Sequence, residues 1–159
     1  MGVVAFFTAI TKEQLASFLD DPDSLRAFRE HNRSFMDIDK AHEGIACLLH
    51  RATTGSAQAA VQNAIFGGTD TAVMAAYGPV RYLTPDEVVE VADALSRIST
   101  DDLKAVYSVQ ALCDADREAS WLWEDTESGR EYLLSHYEHL AAFYQAAARE
   151  NKAVLQSEV

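Results

Sequence analysis

Cations, cysteines, prolines and long apolar runs are all scarce in this sequence, and each scarcity removes a class of function. Only 13 of the 159 residues are Lys or Arg, against 25 Asp or Glu, for a net charge of −12. Phosphate backbones are held by clustered Lys and Arg, so direct binding to nucleic acid is not expected. No stretch reaches about 18 consecutive apolar residues, so no membrane span is expected. The opening MGVVAFFTAI has no basic region and leads straight into a helix-capping sequence, unlike a secretion signal. A myristoylation signal fails too, because Phe6 stands where Ser or Thr is needed. Two cysteines, Cys47 and Cys113, lie far apart and read as reduced thiols of a cytoplasmic protein. The chain has no glycine-rich dinucleotide fingerprint, no P-loop and no nucleophile elbow, and no cofactor is expected.

What is present is enough for one domain. Hydrophobic residues make up 48% of the chain, which specifies a globular core over residues 1–159. The patterning predicts an α+β class, a mostly helical domain packed on a small sheet. Val3 to Ile10 is β-branched and aromatic and reads as an interior strand. Thr11 to Gln14 and Thr84 to Glu87 are capping boxes that start helices, and Ser99 or Thr100 caps another. Asp23 or Ser24 is expected to cap a helix reaching about Phe35, and Asp37 or Asp39 one reaching Arg51. Apolar stripes at helical spacing run through Ala41, Ile45, Leu48 and Leu49, through Val88, Val91, Ala92 and Leu95, and through Leu133, Tyr137, Leu140, Tyr144 and Ala147. Residues 108–129 are the least regular. Trp121 and Trp123 face the same way if that segment is extended. Ala153 to Val159 reads as a last edge strand.

The longest interruption of the helical pattern is Phe66 to Pro85, FGGTDTAVMAAYGPVRYLTP. Gly67-Gly68 and Tyr77-Gly78-Pro79 are turn signals, and Val80 to Leu83 is a short strand. Arg81 is the only cation between Arg51 and Arg97. One reading is a connector whose glycines solve local geometry; the other is a ligand or partner site on an ordered loop. Asp37 and Asp39 could serve acid–base chemistry or act as a cap and an ion-pair partner. His136 and His139 have His-x-x-His spacing, but a metal needs further ligands, and no metal is expected.

Several pieces fall in a fixed order: MGVVAFFTAI, Asp37-Ile38-Asp39-Lys40 with Leu48-Leu49, Ala64 to Gly68, Tyr77 to Pro85, and Phe143-Tyr144 followed by Ala153-Val154-Leu155. Together they resemble the YfbM-like family of small bacterial proteins, a domain-of-unknown-function family, over nearly the whole chain. The resemblance implies a single cytoplasmic α+β domain with helices around a small sheet. It implies no established activity. Members often carry Trp-His after the DxDK motif, where this chain has His42-Glu43.

Two functional readings follow. In the first, the protein is a non-catalytic binding module, and one concrete version neutralises a basic partner. Residues 84–131 carry 13 acids and 4 cations, a charge suited to a basic protein. In the second, it is a small enzyme or a sensor of a small anionic ligand held by Arg81 and the Gly67-Gly68 turn. The candidate residues are Asp37, Asp39, Phe66, Gly67, Gly68, Tyr77 and Arg81.

Overall fold

The structure, a computed structural model, describes residues 3–116 and 120–159. Five strands, β1 (Ala5–Ile10), β2 (Met36–Asp37), β3 (Thr69–Ala75), β4 (Gly78–Leu83) and β5 (Ala153–Glu158), form one antiparallel sheet in the order β2-β1-β5-β4-β3. The helices are α1 (Lys12–Asp20), α2 (Pro22–His31), α3 (His42–Ala52), α4 (Ala57–Asn63), α5 (Pro85–Ser96), α6 (Thr100–Ala105), α7 (Val109–Ala115), α8 (Trp121–Glu124) and α9 (Thr126–Arg149). This is the α+β class that the patterning predicts.

Strand alternation divides the core into two layers. Ala5, Phe7, Leu83 and Val154 point into the larger core, which the stripes of α3, α5 and α9 complete. Ile10, Val80, Ala153 and Leu155 point the other way and meet Leu15, Phe18 and Leu25 of α1 and α2. Helices therefore lie on both faces of the sheet. All three predicted stripes are buried, both predicted capping boxes form, at Thr11 and Thr84, and of Ser99 and Thr100 it is Ser99 that caps, with a box of its own. Pro85 at the first helical position adds a preset φ to the Thr84 cap.

Other boundaries differ from the sequence reading. Asp21 caps α2, because Pro22 fills its first position and the Asp21 carboxylate accepts from the Asp23 amide. That helix stops at His31, where the Asn32 side chain donates to the Ser34 carbonyl and accepts from the Ser34 amide, turning the chain. Neither Asp37 nor Asp39 caps α3. Asp39 starts a 3-10 turn with φ +46°, and Asp37 accepts from its amide. Thr69–Ala75, expected as loop, is strand β3 with an irregularity between Asp70 and Met74. Residues 109–115 and 121–124 are helical, so the two indoles diverge: Trp123 is fully buried and Trp121 is 59% exposed. The last strand is central, not an edge. β5 pairs with β1 on one side and β4 on the other.

Buried tyrosines tie the helices down. Tyr144 donates to the Ala64 carbonyl (2.8 Å) and accepts from Nε2 of Gln156 (2.8 Å), with no exposed surface. Tyr137 donates to the Leu95 and Ile98 carbonyls (3.0 and 2.6 Å). Burial, and then the charge of Asp102, pushes the Tyr137 phenol up to about 12. Tyr144→Phe strips two buried groups of their partner at once. It is expected to lower stability by about 1–3 kcal/mol in urea unfolding, with the denaturant slope unchanged.

Candidate functional site

Two polar neighbourhoods contain the residues singled out in the sequence, and they flank the central strands. The first surrounds Arg81. Its Nη1 donates to the Phe66 carbonyl at 2.8 Å, and its Nε stands 3.5 Å from the Asp70 carboxylate. The Gly67-Gly68 turn delivers Phe66 to this point. A Cβ on Gly67 would run into the Asn63 backbone, and one on Gly68 into the Tyr82 carbonyl. Gly68 also has φ +84°, a conformation that costs other residues about 1–2 kcal/mol. Close packing thus requires both glycines. The space beside Arg81, bounded by Phe6, Phe7, Gln156 and Glu158, is about 10 Å³, room for one water.

The second neighbourhood is built on Asp39. Tyr132 donates to its carboxylate (2.9 Å) and accepts from the Lys40 amide (3.1 Å). Burial first, and then the Asp39 hydrogen bond, holds the Tyr132 phenol well above its usual range. It stays protonated at neutral pH, so it keeps the proton it donates to Asp39 while its oxygen accepts from the Lys40 amide. His136 packs edge-on against Tyr132, with ring centres 4.6 Å apart, and its buried Nδ1 has no partner among the described residues. His139 is exposed, its ring 6.2 Å from that of His136. Among the described residues, no group of three His, Cys, Asp or Glu is arranged to hold a metal ion.

The two neighbourhoods do not merge. Asp37 is on β2 and Arg81 on β4, with β1 and β5 between them, so their backbones are roughly 14 Å apart at about 4.8 Å per strand. A residue that the sequence reading left aside connects them. His42 is buried, with Nδ1 3.4 Å from the Asp39 carbonyl and its ring against Phe66 at 5.9 Å. Tyr77 stands apart at the β3–β4 turn, 57% exposed. Lys40 lies over the exposed Trp121 ring at 5.7 Å. Cys47 is half-buried; burial raises its thiol pKa, which opposes a nucleophilic role. Nothing local in the sequence marks Tyr132 as a partner of Asp39, since it is 93 residues distant; His42, three residues away, is a local neighbour.

Fold and site together define a small α+β domain whose polar clusters are wired into its own backbone. Over residues 1–157 the sequence matches the family described as Domain of unknown function (DUF1877), and the chain belongs to that family. The solved structure of YfbM from Escherichia coli, a protein of unknown function, superposes with a TM-score of 0.71 at 18% identity, covering 98% of this chain and 99% of that one. At that identity the likeness establishes the fold. No curated protein matches the chain. Among the described residues, no helix is long and apolar enough to cross a membrane.

Burial lowers the pKa of His42, against the opposing pull of the Asp39 carbonyl and of Glu158, Asp116 and Asp39. It lowers that of His136 in the same way. The unfolded chain, with imidazoles near their ordinary 6.5, therefore takes up protons first as pH falls. Stability from these two sites is complete above about pH 6.5 and declines below it. Glu43, raised by burial and by Asp116 and Glu158, acts in the opposite sense at lower pH, so the comparison must be between variants. The thermal midpoint of the wild type is expected to fall between about pH 7.5 and about pH 5.5, and a His42→Gln, His136→Gln double variant to fall less.

Proposed function

We propose that this protein is a non-catalytic binding domain of the bacterial cytoplasm whose acidic helical face engages a basic protein partner. One observation carries the reading. In the acid-rich segment, Asp86, Glu90, Glu124, Glu127 and Glu131 are exposed and have no ion pair among the described residues. They crown α5, α8 and α9, whose apolar stripes pack into the core while Val89 and Trp121 stay exposed. Such a surface draws a cationic partner and speeds encounter, and it weakens as salt rises. The free thiols Cys47 and Cys113 agree with a reducing compartment.

Geometry gives less support to an anion held by Arg81 and the Gly67-Gly68 turn. That guanidinium already bonds Phe66 and Asp70, and the space beside it holds one water. Asp37 and Asp39 lie across two strands from it.

Affinity capture from the source cells at about physiological salt, where charges within about 8 Å still interact, tests the proposal. The expected result is a stoichiometric partner of net positive charge, lost from a variant carrying Asp86→Asn, Glu90→Gln, Glu127→Gln and Glu131→Gln and lost from wild type at high salt. Capture of no basic partner, or retention that ignores the four substitutions, overturns it.

A further inference from the structure

The sheet face under α1 and α2 is not covered completely. Past the end of α2 a cleft of about 210 Å³ opens between that face and the chain leading into β2. Phe6 and Phe35 pack edge to face on one side of it, ring centres 4.7 Å apart, and Phe35 remains 47% exposed. Thr8 and Ser157 contribute hydroxyls from β1 and β5, and neither hydroxyl is used by another described group. Arg29 and Arg33, four residues apart at the end of α2, form the roof.

Neither arginine pairs with a carboxylate among the described residues, although acids outnumber cations 25 to 13. Arg29 reaches the Met74 carbonyl at 3.4 Å and Arg33 the Glu30 carbonyl at 3.3 Å. Arg29 is partly buried, and the loss of water holds its guanidinium below the usual range. A cation at a helix C-terminus does complement the dipole. That accounts for the charge, but not for an aromatic-walled cleft, two unused hydroxyls and a desolvated guanidinium facing the same space.

We propose that this cleft binds a small aromatic carboxylic acid. Arg29 and Arg33 hold the carboxylate, since a guanidinium matches its two oxygens with parallel N–H donors. Thr8 and Ser157 can donate to the same oxygens. Phe6 and Phe35 flank the ring in the edge-on geometry that aromatic pairs prefer. The volume suits one ring with a short acid arm. The site lies on the opposite face of the sheet from α5 and α9, so it stands or falls independently of a basic partner.

The test is a backbone-amide NMR titration of the full chain with phenylacetate, with phenylacetamide and acetate as controls. Each is taken to about 10 mM, tenfold above a millimolar Kd. Saturable shifts at Phe6, Thr8, Ser157 and the end of α2 are expected for phenylacetate, at an affinity about tenfold or more above either control. Arg33→Gln, at an exposed position, is expected to keep the wild-type thermal midpoint and to weaken phenylacetate about tenfold or more, the loss typical of one charged hydrogen-bond partner. Arg29→Gln is expected to act in the same direction. No saturable shift at these residues, equal binding of the neutral amide, or an Arg33→Gln protein that binds like wild type overturns the proposal.

Discussion

The side-chain amide of Gln156 ties the central strand to the helices that cover it. It sits on β5, 4% exposed, and its Nε2 donates to the Asn63 carbonyl (2.6 Å) and to the Tyr144 hydroxyl (2.8 Å). Tyr144 in turn donates to the Ala64 carbonyl, and Arg81 to the Phe66 carbonyl. Three carbonyls at the end of α4 are thus each captured by a side chain from a distant element. A helix leaves its last carbonyls without intrahelical partners, and here side chains take them, in full burial at Ala64 and in part at Asn63 and Phe66. Removal of the Tyr144 hydroxyl leaves the buried Ala64 acceptor unmet, which costs more than the bond itself contributes.

That requirement explains the glycine-rich stretch better than a ligand does. Once α4 is fixed by Gln156 and Tyr144, the chain must reverse at once to enter β3, and Gly67 has to lie against the Asn63 backbone while Gly68 lies against Tyr82. Arg81 then closes the turn as a cationic cap on the helix end. Its contact with Asp70, whose side chain is 68% exposed, adds little beside the charge-assisted bond to Phe66. The cation that stands alone in the sequence stands alone because a helix end needs it.

How much of this was legible depended on sequence distance. Caps and stripes are local, and Thr11, Thr84 and Ser99 announced their helices correctly, as did the buried face of α9. β3 was missed because only Val73 of its seven residues is buried, so no alternation marks it. β5 was read as an edge because strand order is a property of pairing partners, not of residues. Its unbroken apolar run, Ala153 to Leu155, was the available sign of a strand covered on both faces, and all three are buried. The tryptophans were placed by a period of two when the segment is helical. In the candidate site, Phe66, Gly67, Gly68 and Arg81 do come together, since they share one turn and one strand pair. Tyr132 could not be attached to Asp39 from spacing, since that contact exists only after α9 has docked, whereas the contact of His42, three residues from Asp39, is local.

The charge distribution sets how the two faces can work at once. The exposed acids crown the helical layer, whereas Arg29 and Arg33 look into the cleft on the other side of the sheet. A net charge of −12 repels anions at long range, so an anionic ligand cannot be steered to the cleft from afar. At physiological ionic strength, however, fields fade over about 8 Å, and a helix with its side chains is itself about 10–12 Å across. The far-face acids are therefore screened within the cleft, where the two guanidiniums and the nearer carboxylates of Glu30 and Asp37 set the local potential. Under the proposed functions, the same screening confines a partner of the acidic face to close contact, and each surface is tuned by its own nearest charges, so that the two sides of a single sheet would carry opposite electrostatic preferences.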